Sequence, residues 1–212
     1  MRIWLVRHGE SEGNADHSVY FTKHDADIQL TAKGTGHASL AAKKIIQLLD
    51  RFDNQVEYPT HTPQMFNMFT STFRRAKQTA SVIKYELSGI PMYSFGKHFT
   101  MPILREREWG KLRELTFNKL HTEHDFNFYN RPDGGESFAD CYQRAMIFHQ
   151  HLLNNASSNN IVVSHGEFNK VYLMYLFGWT VEEFESYKSP KNGEVFLIEN
   201  NQLSSATPLT KK

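Results

Sequence analysis

Ile3-Trp4-Leu5-Val6-Arg7-His8-Gly9-Glu10-Ser11 begins as an unbroken apolar run and ends in charged, small and hydroxylated residues. Four apolar residues in succession fit a strand covered on both faces, as in a parallel sheet. The arrangement recurs far along the chain, where Ile161-Val162-Val163 leads into Ser164-His165-Gly166. Each strand thus delivers a histidine, and the glycine after it permits a sharp turn and close backbone approach. Two imidazoles meeting at the ends of adjacent strands have the shape of an anion site.

Further strands are expected over about Gln64–Thr70 and Glu194–Glu199, separated by segments of helical spacing. Alternating strands and helices favour an α/β sheet. Thr31 reads as the N-cap of a helix through Leu49, with Ala38, Ala41, Ala42, Ile45, Leu48 and Leu49 on one face, although Gly34 and Gly36 weaken its first turns. Arg74–Leu87 buries Ala76, Ala80, Ile83 and Leu87. Ser137 and Thr180 open capping boxes for helices near Phe138–Leu153 and Val181–Tyr187. The chain is read as one domain over residues 1–212, with a polar, aromatic excursion at about 111–133 and a loose tail after 202.

Composition removes several function classes. A chain of 212 residues, 40% hydrophobic and 13% aromatic, can bury a sizeable core. A net charge of +1 with interspersed signs carries no footprint for nucleic acid or an anionic membrane. The single cysteine, Cys141, excludes an internal disulfide and reads as a packed helical residue in a reducing, cytoplasmic setting. The apolar start is broken at Arg7, and Val171 to Trp179 is too short to span a bilayer, so a soluble protein is expected.

Chemistry concentrates in four segments. Arg7 beside His8, with Asn14 six residues on, offers a guanidinium fork and an amide suited to phosphate oxygens. Arg75 follows the Met65–Phe69 run in the first turn of a helix, where free N–H groups and the dipole attract anions. Leu104-Arg105-Glu106-Arg107-Glu108-Trp109-Gly110 holds two carboxylates among two arginines, which also fits a surface ladder of ion pairs. His165 is the fourth. Ser137 is explained wholly as a helix cap.

Together, Arg7-His8-Gly9 with Asn14, Leu30-Thr31 with Gly34, Arg75-Ala76 with Thr79-Ala80, Leu104-Arg105-Glu106 with Gly110, Gly135-Glu136-Ser137 and Ser164-His165-Gly166 resemble, in order, the histidine phosphatase superfamily, also called phosphoglycerate mutase-like. The likeness runs from about Arg2 to Glu199. It implies a three-layer α/β/α sandwich with a mostly parallel central sheet and a site at the strands' C-terminal ends. His8 is then the nucleophile that forms a phosphohistidine. Arg7, Arg75 and a protonated His165 surround the phosphoryl group, with Asn14 and the Gly166 amide as further donors. Glu106 matches the family's proton donor, with Glu108 and Glu10 as fallback acids.

The expected activity is metal-independent hydrolysis of a small phosphomonoester, with a phosphoprotein admitted as substrate, no cofactor and no metal. The pairs His121 with His124 and His149 with His151 lack a third ligand or nearby thiolates. Departures from the mutase pattern put Thr22 and Lys23 on the substrate rim and add Glu167 after the second His-Gly pair. Two alternatives stand beside hydrolysis: a cofactor-dependent phosphoglycerate mutase, and a non-catalytic module that binds phosphorylated ligands. Oligomeric state is not legible.

Overall fold

The computed structural model describes residues 1–53, 64–114, 127–199 and 202–203. Six strands form one sheet: β1 (Arg2–Arg7), β2 (Gln64–Ser71), β3 (Tyr93–Met101), β4 (Asn159–Ser164), β5 (Val195–Glu199) and β6 (Gln202–Leu203), in the order β3-β2-β4-β1-β5-β6. The first four are mutually parallel, and β5 runs antiparallel to both β1 and β6. Among the described residues, six α-helices accompany them: α1 (Glu12–Ala15), α2 (Ala32–Asp53), α3 (Arg74–Ser88), α4 (Phe138–Asn155), α5 (Gly166–Phe177) and α6 (Val181–Ser186).

Side-chain alternation along β1 divides the core. Ile3 and Leu5 face α4, α5 and α6 through Phe148, Val171 and Phe184, whereas Trp4 and Val6 face α2 and α3 through Ile45 and Ile83. The sheet is therefore the middle of three layers, as the resemblance implied. Cys141 is fully buried in the first core, and burial pushes its thiol up to about 12, which suits a packing residue.

The helix starts follow their sequence signals. Thr31 Oγ1 accepts from the Gly34 amide at the head of α2, Ser137 with Asp140 caps α4, and Thr180 with Glu183 caps α6. A Cβ on Gly34 would stand 1.9 Å from the Glu10 carbonyl oxygen, so the two backbones meet only because the residue is glycine. Strands β3 and β6 were not expected. Both are edge strands, and β3 is mostly solvent-facing and paired to β2 across an irregularity between Phe66 and Met68, which hides its alternation. Phe128 anchors the end of the excursion against Phe138 and Phe184, while Tyr129 is exposed. Phe126, His121, His124 and the tail beyond 203 lie outside the described residues. Among the described residues, no helix is long and apolar enough to cross a membrane, and no cluster of three metal-ligating side chains occurs.

Candidate active site

Strand register creates the site. Arg7 pairs with Ser164, so His8 and His165 step off adjacent parallel strands at the same level. Their ring centroids lie 5.1 Å apart in an edge-on arrangement. His8 Nδ1 lies 2.7 Å from the carbonyl oxygen of Gly9. A carbonyl only accepts, so Nδ1 carries the proton and Nε2 keeps its lone pair. Arg75 Nε donates to that Nε2 at 3.2 Å, which fixes the tautomer from the other side. Burial, then Arg75 and Arg7, hold the His8 pKa well below the ordinary imidazole value. The ring is thus neutral at physiological pH.

Helix α3 supports the turn that follows. Thr79 Oγ1 accepts from the Gly9 amide at 3.1 Å and donates to the Arg75 carbonyl at 2.9 Å. Arg7 packs its guanidinium onto Gly166, where a Cβ would stand 3.1 Å from Arg7 Cζ, and its Nη1 donates to the Pro190 carbonyl. Arg7 Nε is buried without a hydrogen-bond acceptor.

Glu106 reaches the site after the 3-10 turn Pro102–Leu104, which Ser164 Oγ anchors by donating to the Leu104 carbonyl at 2.7 Å. Its carboxylate accepts from the amides of Arg107, Glu167 and Phe168, at 3.0, 3.3 and 3.1 Å. Burial and the nearby Glu167 raise its pKa, against the opposing pull of the Arg107 amide, Arg7 and Arg75. Glu167 faces the same space, where Arg107 Nε at 2.8 Å and Trp109 Nε1 at 3.0 Å bind its carboxylate.

These groups line a cavity of about 290 Å³. Arg7, His8, Asn14, Arg75, Glu106 and Gly166 form one part of its wall. Trp109, from the Leu104–Gly110 segment, forms another part with His17, Tyr20, Asp25, Arg113 and Ser189, which the sequence did not announce. Tyr20, Asp25 and Arg113 sit on short 3-10 turns whose side chains carry no periodic signal. Arg75 Nη1 binds both the Asp25 carbonyl at 2.6 Å and its carboxylate at 2.7 Å.

Two expectations change, and one choice narrows. His165 is fully buried behind the cavity wall, and burial with Arg75 and His8 lowers its pKa well below the usual value, so it is neutral rather than protonated. Its Nε2 meets Ser71 Oγ at 2.9 Å, and its Nδ1 has no partner. Thr22 and Lys23 are not in the wall: Thr22 bonds back to Val19, and the Lys23 ammonium is held by Glu12 at 2.8 Å. Of the three candidate acids, Glu10 is turned to Lys33 and Glu108 to Arg113, leaving Glu106 in the wall. Arg105 binds Glu136 at 2.5 Å.

Buried cations, a neutral imidazole with a directed lone pair and a carboxyl with a raised pKa are what a phosphoryl-transfer site needs. The family model for the histidine phosphatase superfamily (branch 1) matches residues 3–202, and the chain belongs to that superfamily. Among curated proteins, it is 31% identical to phosphoglycerate mutase-like protein AT74 of Arabidopsis thaliana, over 95% of this chain and 65% of that protein. The chain thus spans just under two thirds of that relative. It is 32% identical to the broad-range acid phosphatase DET1 of Saccharomyces cerevisiae, over 46% of this chain and 33% of the other. In fold it resembles a mycobacterial glucosyl-3-phosphoglycerate phosphatase, with TM-score 0.68, 19% identity and coverage of 93% and 92%. The alpha-ribazole phosphatase of Shigella flexneri gives 0.65, 22%, 96% and 93%.

Proposed function

We propose that this protein hydrolyses small phosphomonoesters without a metal, through a phosphohistidine on His8. The observation that carries the reading is the tautomer of His8 in the cavity wall: Nδ1 donates to Gly9, so Nε2 keeps the lone pair, and that lone pair accepts from Arg75 until a phosphoryl group takes the guanidinium's place. In the first step the Nε2 lone pair forms a bond to phosphorus as the ester P–O bond breaks, and Glu106 gives its proton to the leaving oxygen. In the second, water attacks phosphorus, its proton passes to Glu106, and the N–P bond breaks to release phosphate. Arg7 and Arg75 take the charge that spreads over the phosphoryl oxygens. The unpartnered Nδ1 of His165 supports a place for it behind the same group, where an incoming dianion favours the protonated ring.

A cytosolic location fits the single, buried cysteine. The test is phosphate release from a panel of phosphomonoesters in chelator, beside His8→Ala and with detection of acid-labile phosphohistidine. Release that vanishes with His8 supports the reading. Release that persists in His8→Ala overturns it, and isomerisation of phosphoglycerate without net phosphate release would make the protein a mutase.

A further inference from the structure

We infer that the leaving group this cavity takes is an uncharged alcohol with a flat apolar face, and that Asp25 and Glu167 disfavour leaving groups carrying a second anion. The inference rests on the phosphatase reading above and adds the substrate class to it.

A phosphoryl dianion engages Arg7 and Arg75. A second anionic group, whether carboxylate or phosphate, needs a further cation in the wall. Among the described residues the remaining wall arginine is Arg113, and its Nη2 already lies 2.8 Å from Glu108 Oε1 and 3.6 Å from Asp25 Oδ2. Asp25 is 6% exposed and also binds Arg75, so it joins the phosphate-side and outer arginines through one carboxylate. Lys23 is drawn off the wall by Glu12, and Lys111 pairs with Asp133. Among the described residues, an anion on the leaving group would meet carboxylates whose arginine partners are already engaged.

The same part of the wall offers flat surfaces. Tyr20 and Trp109 stand there with His17. Tyr20 and Arg113 are also shared with an adjoining open hollow whose other walls are Phe21, Glu108 and Gly110. A leaving group that extends outward therefore meets another aromatic ring and another carboxylate. At about 290 Å³ the inner cavity is at the small end of ligand pockets, so a single ring beyond the phosphate suits it.

The test is a charge scan at constant leaving-group chemistry. Benzyl phosphate, 4-carboxybenzyl phosphate and 4-(aminomethyl)benzyl phosphate are compared by kcat/KM, since the methylene insulates the leaving oxygen from the ring substituent. We expect the carboxylate to lower kcat/KM by tenfold or more relative to benzyl phosphate, and the ammonium to lower it less than threefold. Cyclohexylmethyl phosphate should fall below benzyl phosphate. In Asp25→Asn the benzyl to carboxybenzyl ratio should shrink at least threefold, whatever happens to the absolute rate. Equal turnover of the neutral and anionic esters by the wild type overturns the inference while leaving the phosphatase reading intact. Absence of phosphohistidine with every ester overturns the phosphatase reading itself.

Discussion

Asn192 Nδ2 donates to Asn14 Oδ1 at 2.9 Å, joining residues 178 positions apart. The same Oδ1 also accepts from the Ser11 amide and hydroxyl, at 3.1 and 3.0 Å. With its oxygen so engaged, the Asn14 amide has its Nδ2 left to donate toward the cavity it lines. Asn192 further reaches the carbonyls of His8 and Gly9, at 3.3 and 3.4 Å. Asn192→Asp replaces the donor with an acceptor. It should lower kcat/KM by on the order of 10²-fold, the scale of a lost oxyanion donor. A double-mutant cycle with Asn14→Ala checks the route: strongly non-additive losses are expected, and additive ones would show that Asn192 acts elsewhere.

Activity should favour acid. His8 attacks only when neutral, and its depressed pKa keeps it so to well below pH 6.5, which places the acid limb there. Glu106 must be protonated to serve the leaving group, so activity falls as pH rises through its elevated pKa. After burial, Glu167 is the largest cause of that elevation. Glu167→Gln should therefore move the alkaline limb of kcat to lower pH, and a limb that stays in place would count against Glu106 as the acid.

Stability should decline with acid in a defined window. His8 and His165 fold with depressed pKa values, so the unfolded chain binds more protons once pH drops below about 6.5, and stability is lost as pH falls toward the folded values. Thermal melts from pH 7.5 to 5 should show a falling Tm, with a shallower slope in His165→Gln. Inorganic phosphate should raise Tm in the wild type by giving Arg7 Nε and His165 Nδ1 a partner.

Arg107 is 1% exposed and clamps Glu167 while its guanidinium lies 4.4 Å from the centre of the Phe138 ring. Arg107→Ala strands a carboxylate beside Glu106 and should cost about 3–5 kcal/mol, the scale for breaking a buried pair from one side. Urea titration measures it; a loss under about 1 kcal/mol would mean that the pair is effectively solvated.

Gly166→Ala tests the seat of Arg7. The added methyl meets the guanidinium, not backbone, so the fold should survive while Arg7 shifts. KM for a phosphomonoester should rise several-fold with Tm nearly unchanged. A large fall in Tm would place the strain in the backbone instead.

The strands that build the centre of the sheet were legible because they are apolar on both faces, as Trp4, Leu5, Val162 and Val163 show. The edge strand β3 was not, since solvent accepts Ser94, Lys97 and Thr100 as readily as a loop would. Arg7 and His8 were legible at the end of an apolar strand and Arg75 in the first turn of a helix, whereas Glu106 was named through the resemblance, its own segment fitting a ladder of surface ion pairs as well. Asp25, Arg113 and Tyr20 come from 3-10 turns, and tertiary packing alone decides that they converge. The neutral state of His165 was hidden for a related reason: burial depth is a property of the packed layers, and no local pattern encodes it.

The antiparallel course of β5 ties two remote stretches of sequence into one turn. Because β5 runs against β1, the segment before it returns to the end of β1, where Gly193 donates to the carbonyls of Arg7 and His8 and Glu194 accepts from the Arg7 amide. The turn that carries His8 is thus closed by Asn192, 184 positions further along the sequence, and by its neighbours Gly193 and Glu194. Without the Asn192–Gly193 bonds the carbonyls of His8 and Gly9 lose these partners, so the placement of His8 rests on a segment remote from it in sequence.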